Sequence, residues 1–143
     1  MVDKNVVAAK LAALADRVAR VRQHRLADAQ ALADDPDAFD LVSFNLMLAV
    51  QACVDVAGHL IADEGWAPAS DLREAFHRLR EHGVLSRDSA DALARATGLR
   101  NVVTHVYAQV DPQLVHRAAT SGLADLETFR REVAAWVKEL REA

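Results

Sequence analysis

An all-α fold is what this sequence predicts, and three observations predict it. Alanine and leucine dominate a chain with only 5 glycines and 3 prolines, a composition that favours helices. Apolar residues recur at spacings of three and four along much of its length. No segment alternates cleanly between apolar and polar residues, as a half-buried strand requires. With 143 residues, 52% of them hydrophobic, the chain can bury a single core and is too apolar for disorder, so residues 1–143 read as one helical domain.

The elements follow in order. Val7, Leu11, Leu14, Val18 and Val21 form a narrow apolar seam, with Lys10, Asp16, Arg17 and Arg20 among the positions around it, which is an amphipathic helix. The acidic run Asp34-Asp35-Pro36-Asp37 reads as a connection. A far more apolar helix extends from about Asp37 to Ala62 and is ended by Gly65 and Pro68. Asn45, Gln51, Asp55 and His59 interrupt it, so it predicts a buried core helix rather than a membrane span. Ser70 is placed to cap a short helix that Gly83 closes, and Ser86 to cap a fourth. Asp111-Pro112 is a helix start, since proline is tolerated in the first turn. Leu123, Leu126, Phe129, Val133, Trp136, Val137 and Leu140 stripe the last segment, which Gly122 kinks or divides.

Composition narrows the function classes. A net charge of −4 argues against broad binding to a phosphate backbone but leaves room for a local basic pocket. Cys53 is the only cysteine, which rules out an intrachain disulfide and a cysteine-based metal framework. It lies in an apolar run and reads as core. The opening residues lack the apolar stretch of a secretion signal, and the expected location is the cytoplasm. His77 and His82 are five apart, not the three or four that places metal ligands on one helical face, and no metal or other cofactor is expected. Arg73, His77, Arg78 and Arg80 form a basic patch that reads as a solvated face.

One stretch stands out: Leu99-Arg100-Asn101-Val102-Val103-Thr104-His105-Val106-Tyr107. Its valines and threonine prefer strands, and Gly98 costs a helix about 1 kcal/mol relative to alanine. The preceding residues are strongly helical and no partner strand is visible, so helix is the prediction. At about 100° per residue, Tyr107, Arg100, Thr104, Asn101 and His105 then share roughly 160° of arc, with Leu99 and the valines opposite. Polar faces are ordinary on amphipathic helices, but they usually carry lysine and glutamate. This one offers a permanent cation, a group titrating near neutrality, an amide and a phenol, the parts needed to hold a phosphate and move a proton. Gln51, Asp55 and His59 step by four along the second helix. That stripe either faces solvent at the edge of the core or lets Asp55 orient Arg100 or His105.

Arg100-Asn101 followed by His105 and Tyr107 resembles the Arg-x-x-x-x-His-x-Tyr motif of HEPN-domain ribonucleases, in particular the HepT toxin family. Gln51, Asp55 and His59-Leu60-Ile61, then Ala75 to Ser86, then Tyr107 leading into Gln109 to Val115, resemble the same family in the same order, over roughly residues 38–140. The resemblance implies an antiparallel HEPN-type bundle of four to five main helices, working as a homodimer whose motif helices meet. It implies a metal-independent endoribonuclease with Arg100 and His105 as the catalytic pair and Asn101 in support. It also implies a nucleotidyltransferase antitoxin that silences the protein by transferring AMP to Tyr107. The competing expectation is a noncatalytic helical dimer that binds a nucleotide or a protein partner through the same face.

Overall fold

A computed structural model of the chain describes residues 1–105 and 110–142, the side chains of 102–105 and 141–142 excepted. Among the described residues there are seven helices and no strand: α1 (Lys4–His24), α2 (Ala29–Ala33), α3 (Pro36–Glu64), α4 (Leu72–Glu81), α5 (Arg87–His105), α6 (Pro112–Ala119) and α7 (Ser121–Glu142). The long apolar helix α3 is the axis of the fold and touches each of the other six. By length and composition it could cross a membrane, but here it is a core helix. Val42, Leu46, Ala49, Val50, Cys53, Val56, Ala57 and Leu60 are all buried along it.

Helix α1 starts where the Asp3 carboxylate accepts the amides of Asn5 and Val6. Its seam Val7, Leu14, Val18 and Val21 is buried against α3, with Leu11 half-buried at the margin. The two helices run antiparallel. Near the start of α1 the amide of Asp3 reaches the Asp63 carboxylate at the end of α3 (3.1 Å), while Arg17 Nη1 meets Asn45 Oδ1 near its beginning (3.1 Å). Asn45 is 2% exposed and also donates Nδ2 to the Leu41 carbonyl at 2.8 Å. The polar residue that breaks the apolar run is therefore paired, as burial demands.

Local signals end most helices where the sequence places them. Gly65, with φ of 68°, closes α3, and Gly83, with φ of 76°, turns the chain after α4 in a left-handed conformation that favours glycine. Ser86 Oγ accepts the Ser89 amide at the start of α5, and Asp111 Oδ1 accepts the Gln113 amide at the start of α6. The cap of α4 differs from expectation: Asp71, not Ser70, accepts the Glu74 amide at 2.7 Å. Ser70 instead donates its amide and hydroxyl to the Glu74 carboxylate. The pattern is a capping box moved one residue along, with the carboxylate taking the helix amide. Asp35 caps α3 through the Ala38 amide, so the acidic run begins the helix rather than lying wholly in a connection. The short α2, capped by Asp28, was not expected. The break between α6 and α7 falls at Thr120, two residues before Gly122.

Helix α7 closes the bundle. Its stripe Leu123, Leu126, Phe129 and Val133 is buried, and Trp136, Val137 and Leu140 are half-buried against the core. Phe129 meets Phe76 of α4 edge-to-face at 6.0 Å, both 0% exposed. At the end of α3, Trp66 stacks on His82 with ring centres 4.0 Å apart and meets Trp136 edge-on at 5.7 Å. The valine-rich stretch after Gly98 stays helical through His105, so helix continuation prevails over its local β preference.

Candidate functional site

Helix α5 delivers the candidate site to the middle of α3. Leu99 is buried at 8% exposure and seats the helix, which leaves the next side chain, Arg100, half-buried at the α3–α5 junction and Asn101 exposed. Arg100 Nε donates to Gln51 Oε1 at 2.7 Å, across 49 residues of sequence. Arg100 Nη1 donates to Asn101 Oδ1 at 3.0 Å. Gln51 Nε2 in turn donates to Asp55 Oδ1 at 2.9 Å, one turn further along α3. The polarity is self-consistent. A guanidinium only donates and a carboxylate only accepts, so the amide between them has one satisfactory orientation. Two nitrogens of one rigid plane are thereby held, which fixes the plane itself.

The structure joins Arg100, Asn101 and Asp55, the last through Gln51 rather than directly. Asp55 is exposed, so it both faces solvent and belongs to the site. The stripe expected from spacing divides: His59 Nε2 lies 3.0 Å from Asp63 Oδ2, nearer the end of α3, and joins neither Arg100 nor Gln51. The backbone of His105 is still helical, on α5, five residues beyond Arg100. Tyr107 and the side chains of Thr104 and His105 lie outside the described residues. Gln51 is the site residue that sequence reading did not single out for a role. Its i, i+4 relation to Asp55 was the only local signal, and its tie to Arg100 is tertiary.

The remaining candidates have structural employment. In the basic patch, Arg78 donates to the Ala67 and Pro68 carbonyls at 2.9 and 3.3 Å and pairs with Glu74 and Glu81, both at 2.9 Å. It staples the α3–α4 connection to α4. His77 Nδ1 sits 3.9 Å from Asp91 Oδ1. Cys53 is fully buried, and burial pushes its thiol far above the ordinary range, which leaves it inert. Among the described residues no group of three or more His, Cys, Asp or Glu side chains could hold a metal ion. A cleft of about 340 Å³ between α3, α5, α6 and α7 has Leu46, Val50, Leu99, Leu114 and Leu126 in its walls. Arg95, Arg117, Ser121 and Asp125 line it too, so its walls are mixed rather than apolar throughout.

A family model described as ribonuclease HepT-like matches residues 14–133. The mRNA nuclease HepT of Shewanella oneidensis is 25% identical over 125 residues, which is 87% of this chain and 93% of that protein. The tRNA nuclease HepT of Aphanizomenon flos-aquae is 28% identical over 97 residues, 68% of this chain and 66% of that one. Among solved structures, the tri-AMPylated HEPN toxin of Shewanella oneidensis, in complex with its MNT antitoxin, superposes with a TM-score of 0.84 at 25% identity. That match covers 94% of this chain and 99% of the toxin.

Proposed function

The chain belongs to the HepT-like ribonuclease family, and from that premise we propose that it is a metal-independent endoribonuclease toxin, neutralised by a nucleotidyltransferase antitoxin. The observation that carries the reading is the guanidinium of Arg100, held on two nitrogens by Gln51 and Asn101. It sits on α5, which also carries His105. Relatives with 25% and 28% identity are named as nucleases of mRNA and of tRNA, which supports RNA as the substrate class without choosing between them.

In this reading His105 takes the proton from an RNA 2′-hydroxyl, a role in which a base near neutral pKa contributes about 10²–10⁴-fold. The freed oxygen attacks the adjacent phosphorus and the 5′-oxygen leaves. Arg100 stabilises the negative charge that develops, and because its plane is fixed beforehand little reorganisation is needed at that moment. Asn101 and Asp55 support it. Five residues of helix separate Arg100 from His105 by a rise of about 7.5 Å. A single histidine is poorly placed to act as base on one side of the phosphorus and acid on the other. A homodimer supplies two, with a composite cleft where the α5 helices of both copies meet. The cytoplasm, where RNA substrates are, is its place of action.

Regulation follows the solved toxin, which carries three AMP units in complex with its antitoxin. For this chain Tyr107 is the acceptor. It follows Arg100 by seven residues in the sequence, and an added AMP would bring a phosphate that competes for that guanidinium.

The test is RNA cleavage in EDTA by protein whose intact mass shows no AMP, alongside His105→Ala. Cleavage by the wild type and none by the variant is expected. Equal cleavage by both, or none by either, overturns the nuclease reading in favour of a noncatalytic dimer that binds through this face. Incubation with ATP and the cognate antitoxin is expected to add whole AMP units, lost in Tyr107→Phe.

A further inference from the structure

We propose that Gln51 is a positioning residue for Arg100: its side-chain carbonyl holds the guanidinium in the working orientation, and Asp55 keeps the amide turned the right way. The inference rests on Arg100 having the catalytic role proposed above, and it adds the device that prepares Arg100 for that role.

An arginine on a helix surface samples many rotamers, and a guanidinium that must meet a developing charge loses effectiveness as it wanders. Here Nε is tied at 2.7 Å to a residue on a different helix. That helix packs against each of the other six, and Gln51 lies between Val50, 2% exposed, and Cys53, 0% exposed. The anchor is therefore rigid. Rotation of the Gln51 amide by half a turn would point its NH2 at Arg100, donor against donor. Asp55, which can only accept, holds that NH2 at 2.9 Å and removes the alternative.

The choice of glutamine also has an electrostatic consequence. A carboxylate at position 51 would accept from Nε equally well, but it would pair with the guanidinium and offset the charge needed at the phosphate. The neutral carbonyl orients Arg100 and leaves that charge in place. The carboxylate stands one link further out, where it acts on the amide.

Two measurements on AMP-free protein test this: steady-state RNA cleavage, and the ¹H–¹⁵N resonance of the Arg100 Nε–H. Gln51→Met keeps the length of the side chain and removes the acceptor. It is expected to lower kcat about 10- to 100-fold with little change in KM. The Nε–H resonance, distinct in the wild type, should be lost to solvent exchange, with melting temperature within about 3 °C. Asp55→Ala, at an exposed position, serves if Gln51→Met folds poorly, and should give a smaller loss of the same kind. In an Arg100→Ala background Gln51→Met should add nothing. Wild-type cleavage by Gln51→Met, or an unchanged Nε–H resonance, together with an inactive Arg100→Ala, overturns the positioning role and leaves the nuclease reading standing. Full activity of Arg100→Ala instead removes Arg100 from catalysis and takes the working role of Gln51 with it.

Discussion

Removing the Arg17 guanidinium should cost this protein more than removing the buried amide it serves. Asn45 is 2% exposed on α3, and its Oδ1 accepts from Arg17 Nη1 at 3.1 Å, while its Nδ2 is satisfied within α3 by the Leu41 carbonyl. Arg17→Met keeps the aliphatic stem and leaves that oxygen buried without its donor, at a cost of about 1–3 kcal/mol. Asn45→Leu removes the buried polar group in favour of an apolar one of similar size. Arg17 is only half-buried and regains water, so the change should lie within about 1 kcal/mol of wild type in either direction. The double variant should match Asn45→Leu alone, since no orphaned oxygen remains, which gives a coupling of about 1–3 kcal/mol between the two sites. Equilibrium unfolding in urea followed by far-UV circular dichroism measures all four proteins. A double variant as unstable as Arg17→Met, or an Arg17→Met indistinguishable from wild type, would show that the contact is not what stabilises Asn45 in the interior.

Three further outcomes are expected. Phe129→Ala empties a site that is 0% exposed and breaks the edge-to-face contact with Phe76, so urea unfolding should show a loss of about 3–5 kcal/mol. Asp71→Ala removes the cap of α4 and should cost about 1 kcal/mol by the same measurement, more than the uncapped Ser70→Ala change. The Glu127 carboxyl is held below its ordinary value of 4.5, first by its hydrogen bond from Arg22, and a lowered carboxyl adds stability above that value which is lost as pH falls through the shifted one. Glu127→Gln should therefore destabilise by about 0.2–1 kcal/mol at pH 7, and the gap to wild type should narrow in melts as pH falls below 4.5, a convergence whose absence would deny the pair its role.

Much of this fold is legible locally, because caps, turns and seams are made by residues a few positions apart. Gly83, Ser86 and Asp111 end or begin helices where their side-chain chemistry says they should, and the Val7–Val21 seam is buried as its spacing predicts. Ser70 and Asp71 compete for one cap, and sequence alone does not decide between adjacent candidates of equal propensity; the Glu74 carboxylate decides by engaging Ser70. The candidate site divides along the same line. The helical face carrying Arg100 and Asn101 is a local pattern. The contact between Arg100 and Gln51 spans 49 residues and depends on how α5 docks on α3, which no periodicity encodes. Spacing joined His59 to Gln51 and Asp55, whereas the length of α3 carries it toward Asp63 instead.

Both tryptophans of the chain sit in one small aromatic cluster with His82. From Gln51 to the end of α3 the helix rises about 20 Å, so that cluster is remote from Arg100. Intrinsic fluorescence is accordingly a reporter of one extremity of the molecule. Its intensity should stay silent when RNA or a nucleotide occupies the opposite region. A ligand titration that watches only this emission would record a false negative, and a label placed near Asp55 would be the better optical probe.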